Sequence, residues 1–234
     1  MGKGAARSTA EPMGASRWLL RAHSLVVYVF FYAPIVVLVA YSFNKSSIVG
    51  KWTGLTLSWY GDFLDHDNIQ ESIWISVKVC VASTLISVVL GTLAALSIER
   101  FRWWGQKAFD AVLYLPIIIP DVTMAVMLLV FFGETAQWFN LIPGVNLTDG
   151  LEKLVLSHVA FNISFVSVVV RARLANLDAS MEEAAADLYA NRWQTFRRVT
   201  LPQIMPGVLG GALLAVTLSL DDVVVSSFVS GVGA

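Results

Sequence analysis

Hydrophobic positions in this chain gather into five long runs, divided by short stretches where charged and polar residues collect. Crossing about 30 Å of hydrocarbon takes roughly 20 mostly apolar residues in helical form. The first run covers 25–43, with Pro34 inside it, and the second covers 73–98, interrupted only by Lys78 and small polar residues. The third, 109–132, contains Pro116, Pro120 and Asp121; the fourth is 151–170. The fifth, 208–229, carries Asp221 and Asp222 within it. Lipid offers no water to an unpaired backbone group, so these runs predict helices and not open strands. The pattern predicts an all-α transmembrane helical bundle with about five crossings.

Composition strengthens that picture. The 234 residues are 56% hydrophobic and 14% charged, against about 45–50% and about 25% in soluble domains. A net charge of −1 gives no reason to expect a nucleic-acid partner. Cys80, the one cysteine, lies inside an apolar run, which excludes a disulfide within the chain and a cysteine-based metal site. His23, His66 and His158 are too scattered to predict a metal site. The first residues are small and polar and no small-residue cleavage site follows the first run, so no removable signal is expected.

Basic residues set the expected orientation. With the N-terminus in the cytoplasm, the inner segments hold Lys3, Arg7, Arg17, Arg21, Arg100, Arg102, Lys107, Arg171, Arg173, Arg192, Arg197 and Arg198. The outer loops then hold only Lys45 and Lys51, while Lys78 and Lys153 near outer helix ends are expected to reach the headgroups.

Between the fourth and fifth runs lies a short charged segment of helix-forming composition. Ser180-Met181-Glu182-Glu183 reads as a capping box, with Ser180 and Glu183 each covering an orphan N–H. Ala184, Ala185 and Ala186 favour helix and leave a small surface for close approach. Asn191 with Gln194 predicts the cap of a second short helix carrying Trp193 and Phe196 on one face. Pro202 is expected to limit that helix. Taken alone, the segment also fits an amphipathic hairpin anchored on the inner leaflet by its aromatics and arginines.

The spacing resembles the EAA loop of ABC-importer permeases: Glu-Ala-Ala, three residues, Gly, nine residues, Ile-x-Leu-Pro. Here Glu183-Ala184-Ala185 opens the motif, Tyr189 occupies the Gly slot, and Val199-Thr200-Leu201-Pro202 closes it. The resemblance implies a type I ABC-importer permease fold over 25–234, after a cytoplasmic segment 1–24, with a cytoplasmic coupling loop at 171–205. It implies that Glu183, Ala184, Ala185, Tyr189, Trp193, Phe196, Leu201 and Pro202 form the ATPase docking site. A glycine there suits left-handed backbone, so Tyr189 is expected either to be strained or to force a different turn, at a cost of about 1 kcal/mol or more. The family usually returns through a sixth helix, whereas this sequence ends at Ala234; a C-terminally short permease is the expectation.

Asp121, Asp221 and Asp222 lie at membrane depth, where a charge costs about 2.5–3.5 kcal/mol and is expected to face a cavity or a partner. On an unbroken helix of about 3.6 residues per turn, Asp221 and Asp222 diverge by roughly 100°. One then lines a path while the other pairs elsewhere or caps a break. Such anions suit a cationic solute. The segments 218–231 and 114–121 are similar to the corresponding helices of spermidine/putrescine importer permeases. That resemblance implies a prokaryotic plasma (inner) membrane protein working with a homologous second permease, two ATPase subunits, an extracytoplasmic substrate-binding protein and the surrounding lipid. No Gly-x-x-x-x-Gly-Lys-Ser/Thr loop is present, so ATP and Mg are expected on the partner ATPase, with no cofactor or metal in this chain and no covalent chemistry. Two alternatives stand beside this: a permease for another small solute, and an intramembrane aspartyl protease. The second needs two carboxylates close enough to share a proton, for which Asp121 must meet the fifth helix.

Overall fold

The computed structural model describes residues 14–48, 50–139 and 150–230. Lys3, Arg7 and the end of the chain at 231–234, all invoked above, lie outside the described residues. The chain divides into two compact units, Met1–Gln70 and Glu71–Ala234.

In the first unit, α1 (Gly14–Ser42) starts well ahead of the apolar run at Leu25 and continues through Pro34. Its apolar side chains point outward all round, as in a helix whose solvent is lipid. After α1 the chain folds around Asn44, which is 1% exposed. The Asn44 amide donates to the Lys51 carbonyl at 2.7 Å and accepts from the Thr53 N–H at 3.0 Å. The Trp59 indole of α2 (Ser58–Asp65) donates to the Asn44 carbonyl at 2.9 Å.

The second unit holds most of α3 (Asp67–Arg100), then α4 (Gln106–Ile118), α5 (Asp121–Phe139) and α6 (Leu151–Leu174). Next come α7 (Ser180–Asp187), α8 (Arg192–Thr195), a π-helical turn (Phe196–Thr200), α9 (Leu201–Asp221) and α10 (Val224–Ser230). The core forms around α6. Val166 and Val170 pack with Ala95 of α3 and with Ile204 and Ala215 of α9. Glycines permit this closeness: Gly91 of α3 and Gly211 of α9 both face Val166. Lipid is as apolar as leucine, so buried polar pairs also hold these helices together. Asn162 of α6 donates to the Ser219 hydroxyl of α9 at 2.8 Å, and that hydroxyl lies 3.2 Å from Ser83 of α3.

Two expected continuous helices are broken. The third run is a pair, α4 and α5, bent by 115°. Ile119, which precedes Pro120, is extended at φ −72, ψ 130 because the following proline ring disfavours helical backbone there. The fifth run stops at Asp221; Asp222 is extended at φ −72, ψ 109, and α10 starts afresh at Val224. Among the described residues, four helices are long and apolar enough to span a membrane, or five if the bent pair is one span. Lys153, expected to reach the headgroups, is only 9% exposed.

Candidate functional site

The charged hairpin between α6 and α9 is organised by the first of its two glutamates. Glu182 accepts two hydrogen bonds from the Arg100 guanidinium at the end of α3, at 2.5 and 2.6 Å. It also accepts one from the Thr200 hydroxyl at 2.6 Å. The paired guanidinium holds the Glu182 carboxyl below the usual carboxylate range; partial burial opposes that, and the Thr200 hydroxyl adds to it. Its neighbour Glu183 faces outward with Ala184, while Ala185 is half-buried. Two adjacent glutamates thus divide the work, one tying the hairpin to the bundle and one left on its surface. Beside this clamp, Arg171 of α6 binds Glu99 of α3 at 2.9 Å and Asp110 of α4 at 2.5 Å.

The expected Ser180–Glu183 capping box does not form. Asp178 caps instead, its carboxylate accepting the Ser180 N–H at 2.9 Å, and Ser180 is already inside α7. That bond holds the Asp178 carboxyl below its ordinary range. The second cap forms as expected: Asn191 and Gln194 exchange side-chain to backbone bonds of 2.9 Å each way. Trp193 and Phe196 stack with ring centroids 5.7 Å apart. Tyr189 has φ 60, the one positive φ among the described non-glycine residues, and is 97% exposed. The left-handed turn is therefore kept although a tyrosine fills it.

Pro202 does not end the helix, contrary to expectation. It sits in the first turn of α9. The turn before it widens, with the Leu201 N–H donating five residues back to Phe196. Proline lacks the N–H for the usual bond and its ring crowds the carbonyl four residues back, so a π turn accommodates it. The hairpin thereby runs into α9 without a hinge.

At the other end of α9, the two helix breaks meet. Asp121, Asp221 and Asp222 line one cavity of about 180 Å3 with Pro116, Met124 and Phe161. A water needs only about 10–15 Å3, so the cavity beside the carboxylates has room for water or a polar solute. Sequence periodicity had separated Asp221 from Asp222; the break after Asp221 lets both border the same space.

Residues 87–234 match the model of the binding-protein-dependent transport system inner membrane component family. The chain belongs to that family. It is 40% identical over 211 residues to the putrescine transport system permease protein PotI of Escherichia coli K12, covering 90% of this chain and 74% of that one. It is 38% identical over 218 residues to the spermidine/putrescine transport system permease protein PotC of Haemophilus influenzae, covering 93% and 81%. The fold is also that of a bacterial ABC transporter involved in the import of the acidic polysaccharide alginate, with a TM-score of 0.66 at 22% identity, covering 88% and 75%. The permease is accordingly a membrane-spanning transporter subunit that works in a complex, not an enzyme. Asp121 and α9 do meet at one cavity, the condition set above for aspartyl chemistry, but the relatives are transport permeases.

Sequence reasoning missed Arg100, Glu182 and Thr200. Arg100 and Glu182 are 82 residues apart, and no local pattern links them.

Proposed function

We propose that this permease conducts putrescine or spermidine inward, with the hairpin 171–205 seated on an ATPase subunit that binds ATP and Mg. The observation that carries the cargo reading is a cavity bordered by three carboxylates and by no basic side chain among its lining residues. Flexible polycations with separated ammonium groups match such a lining in charge, and the similarity to putrescine and spermidine/putrescine permeases supports the same class. The hairpin supports coupling because Glu182 ties it to α3 and the π turn continues it into α9, so a push on its exposed face reaches the helix that borders the cavity. The complex would comprise a second homologous permease, two ATPases and an extracytoplasmic binding protein in the prokaryotic inner membrane. The bias of basic residues favours a cytoplasmic N-terminus and hairpin.

The test is uptake of labelled putrescine and spermidine by the assembled transporter in proteoliposomes. ATP-dependent uptake, competed by the other polyamine and not by a neutral solute, is expected. Uptake of a neutral or anionic solute alone refutes the cargo reading. Glu183→Arg is expected to abolish association with the ATPase; retained association refutes the docking reading.

A further inference from the structure

The three carboxylates around the cavity are not equivalent. Asp222 is saturated with donors: one oxygen accepts the Val225 N–H at 3.1 Å, and the other accepts the Ser226 N–H and the Ser226 hydroxyl, both at 2.8 Å. Those two N–H groups belong to the first turn of α10, where no backbone partner exists, so Asp222 acts as the cap that starts the helix after the break. Behind it stands His158 of α6, 1% exposed, with Nε2 3.1 Å from the Ser226 hydroxyl and 3.5 Å from the Asp222 carboxylate. The Ser226 hydroxyl gives its one proton to Asp222 and so can only accept from the ring, which assigns the proton to Nε2. Nδ1 is buried without a hydrogen-bond partner among the described residues. By contrast, Asp121 and Asp221 are exposed to the cavity and form no side-chain hydrogen bond among the described residues.

We infer that Asp222 holds the break in place, with His158 as a positioning residue acting through Ser226, and that Asp221 and Asp121 are left to face the cation. This rests on the cargo reading above for its transport consequence but not for its structural one. At position 222 the requirement is two acceptor oxygens, one for Val225 and one for Ser226, whereas at position 221 it is negative charge. At position 158 it is a donor at the reach of Nε2, which glutamine supplies and asparagine does not.

The experiment compares substitutions at each site in the assembled transporter. Polyamine uptake is measured beside amide hydrogen exchange of Val225 and Ser226. Losing a cap loosens a first turn by about fivefold in exchange rate. Asp222→Ala and His158→Ala are expected to raise exchange by that factor and to depress uptake. Asp222→Asn keeps one acceptor oxygen and turns an N–H toward the other donor, so it is expected to recover protection of only one of the two amides. His158→Gln is expected to recover both measurements in large part, and His158→Asn neither. Asp221→Asn is expected to lose uptake about as fully as Asp221→Ala with exchange unaltered, and Asp221→Glu to restore part of it. Unaltered exchange of Val225 and Ser226 in Asp222→Ala overturns the assignment, as does His158→Gln behaving like His158→Ala. If the unaltered assembly takes up no polyamine, the cargo reading fails, and the exchange pattern still decides the cap.

Discussion

Gly91→Ala is the most exacting test of how the bundle is held together. A Cβ added at Gly91 would lie 2.8 Å from Val166 Cβ and 2.9 Å from the Ile163 carbonyl oxygen. Carbon atoms pack best at about 3.5–4.0 Å, so α3 has to retreat from α6 by roughly 0.7 Å. Neither neighbour is a flexible chain end: one is a branched carbon fixed to the backbone of a fully buried residue, and the other is backbone itself. A gap of that size forfeits about a quarter to a half of the dispersion well at each contact it opens. Overpacking of this kind costs about 1–3 kcal/mol. Thermal unfolding of the solubilised permease is expected to fall by about 2–12 °C, taking about 2–4 °C per kcal/mol for a chain of this size. Val166→Gly added to Gly91→Ala removes the Cβ and Cγ1 that clash, and a favourable coupling of about 1 kcal/mol is expected from the double-mutant cycle. Gly133→Ala on α5 is the control, because nothing lies within 4 Å of its added Cβ and helix propensity favours alanine by up to about 1 kcal/mol. A Gly91→Ala protein as stable as the parent, or a cycle with no coupling, refutes the close approach of α3 and α6.

The clamp at Glu182 carries a pH dependence of known sign. Its carboxyl is held below the ordinary range, so its contribution is present above the unfolded-state value and is lost as pH falls through the lower folded value. Amide exchange in 180–200, corrected for intrinsic rate, is expected to stay slow down through about pH 4.3, the ordinary glutamate value, and to quicken only below it. Glu182→Gln is expected to quicken it at neutral pH, and an unchanged profile in that variant refutes the clamp. Tyr189→Gly is expected to raise stability by about 1 kcal/mol, because left-handed backbone costs a tyrosine about 1–3 kcal/mol and the ring is 97% exposed with little packing to lose. A lowered unfolding temperature in that variant contradicts the strain. Asn191→Ala removes the bond its side chain accepts from the Gln194 N–H, leaves the backbone bond to the Gln194 side chain, and is expected to cost about 1 kcal/mol, read from faster exchange at the Gln194 N–H.

Sequence by itself determined what depends on neighbours close along the chain. Hydrophobic run length marked the membrane helices, because the bilayer sets that length. The Asn191–Gln194 cap was legible because a cap spans four residues, whereas the sequence leaves open whether Tyr189 keeps the left-handed turn of the glycine slot or forces another. Local spacing failed wherever a competing local partner or a distant one intervened. Asp178 displaced Ser180 as the cap of α7, and a widened turn carried the helix past Pro202. Only the tertiary structure decided which glutamate is anchored, since Arg100 reaches Glu182 from another helix. The joining of Asp121 with Asp221 and Asp222 was likewise decided there, by two helix breaks brought together. Periodicity reports direction around an intact helix, and it carries no information once the helix has ended.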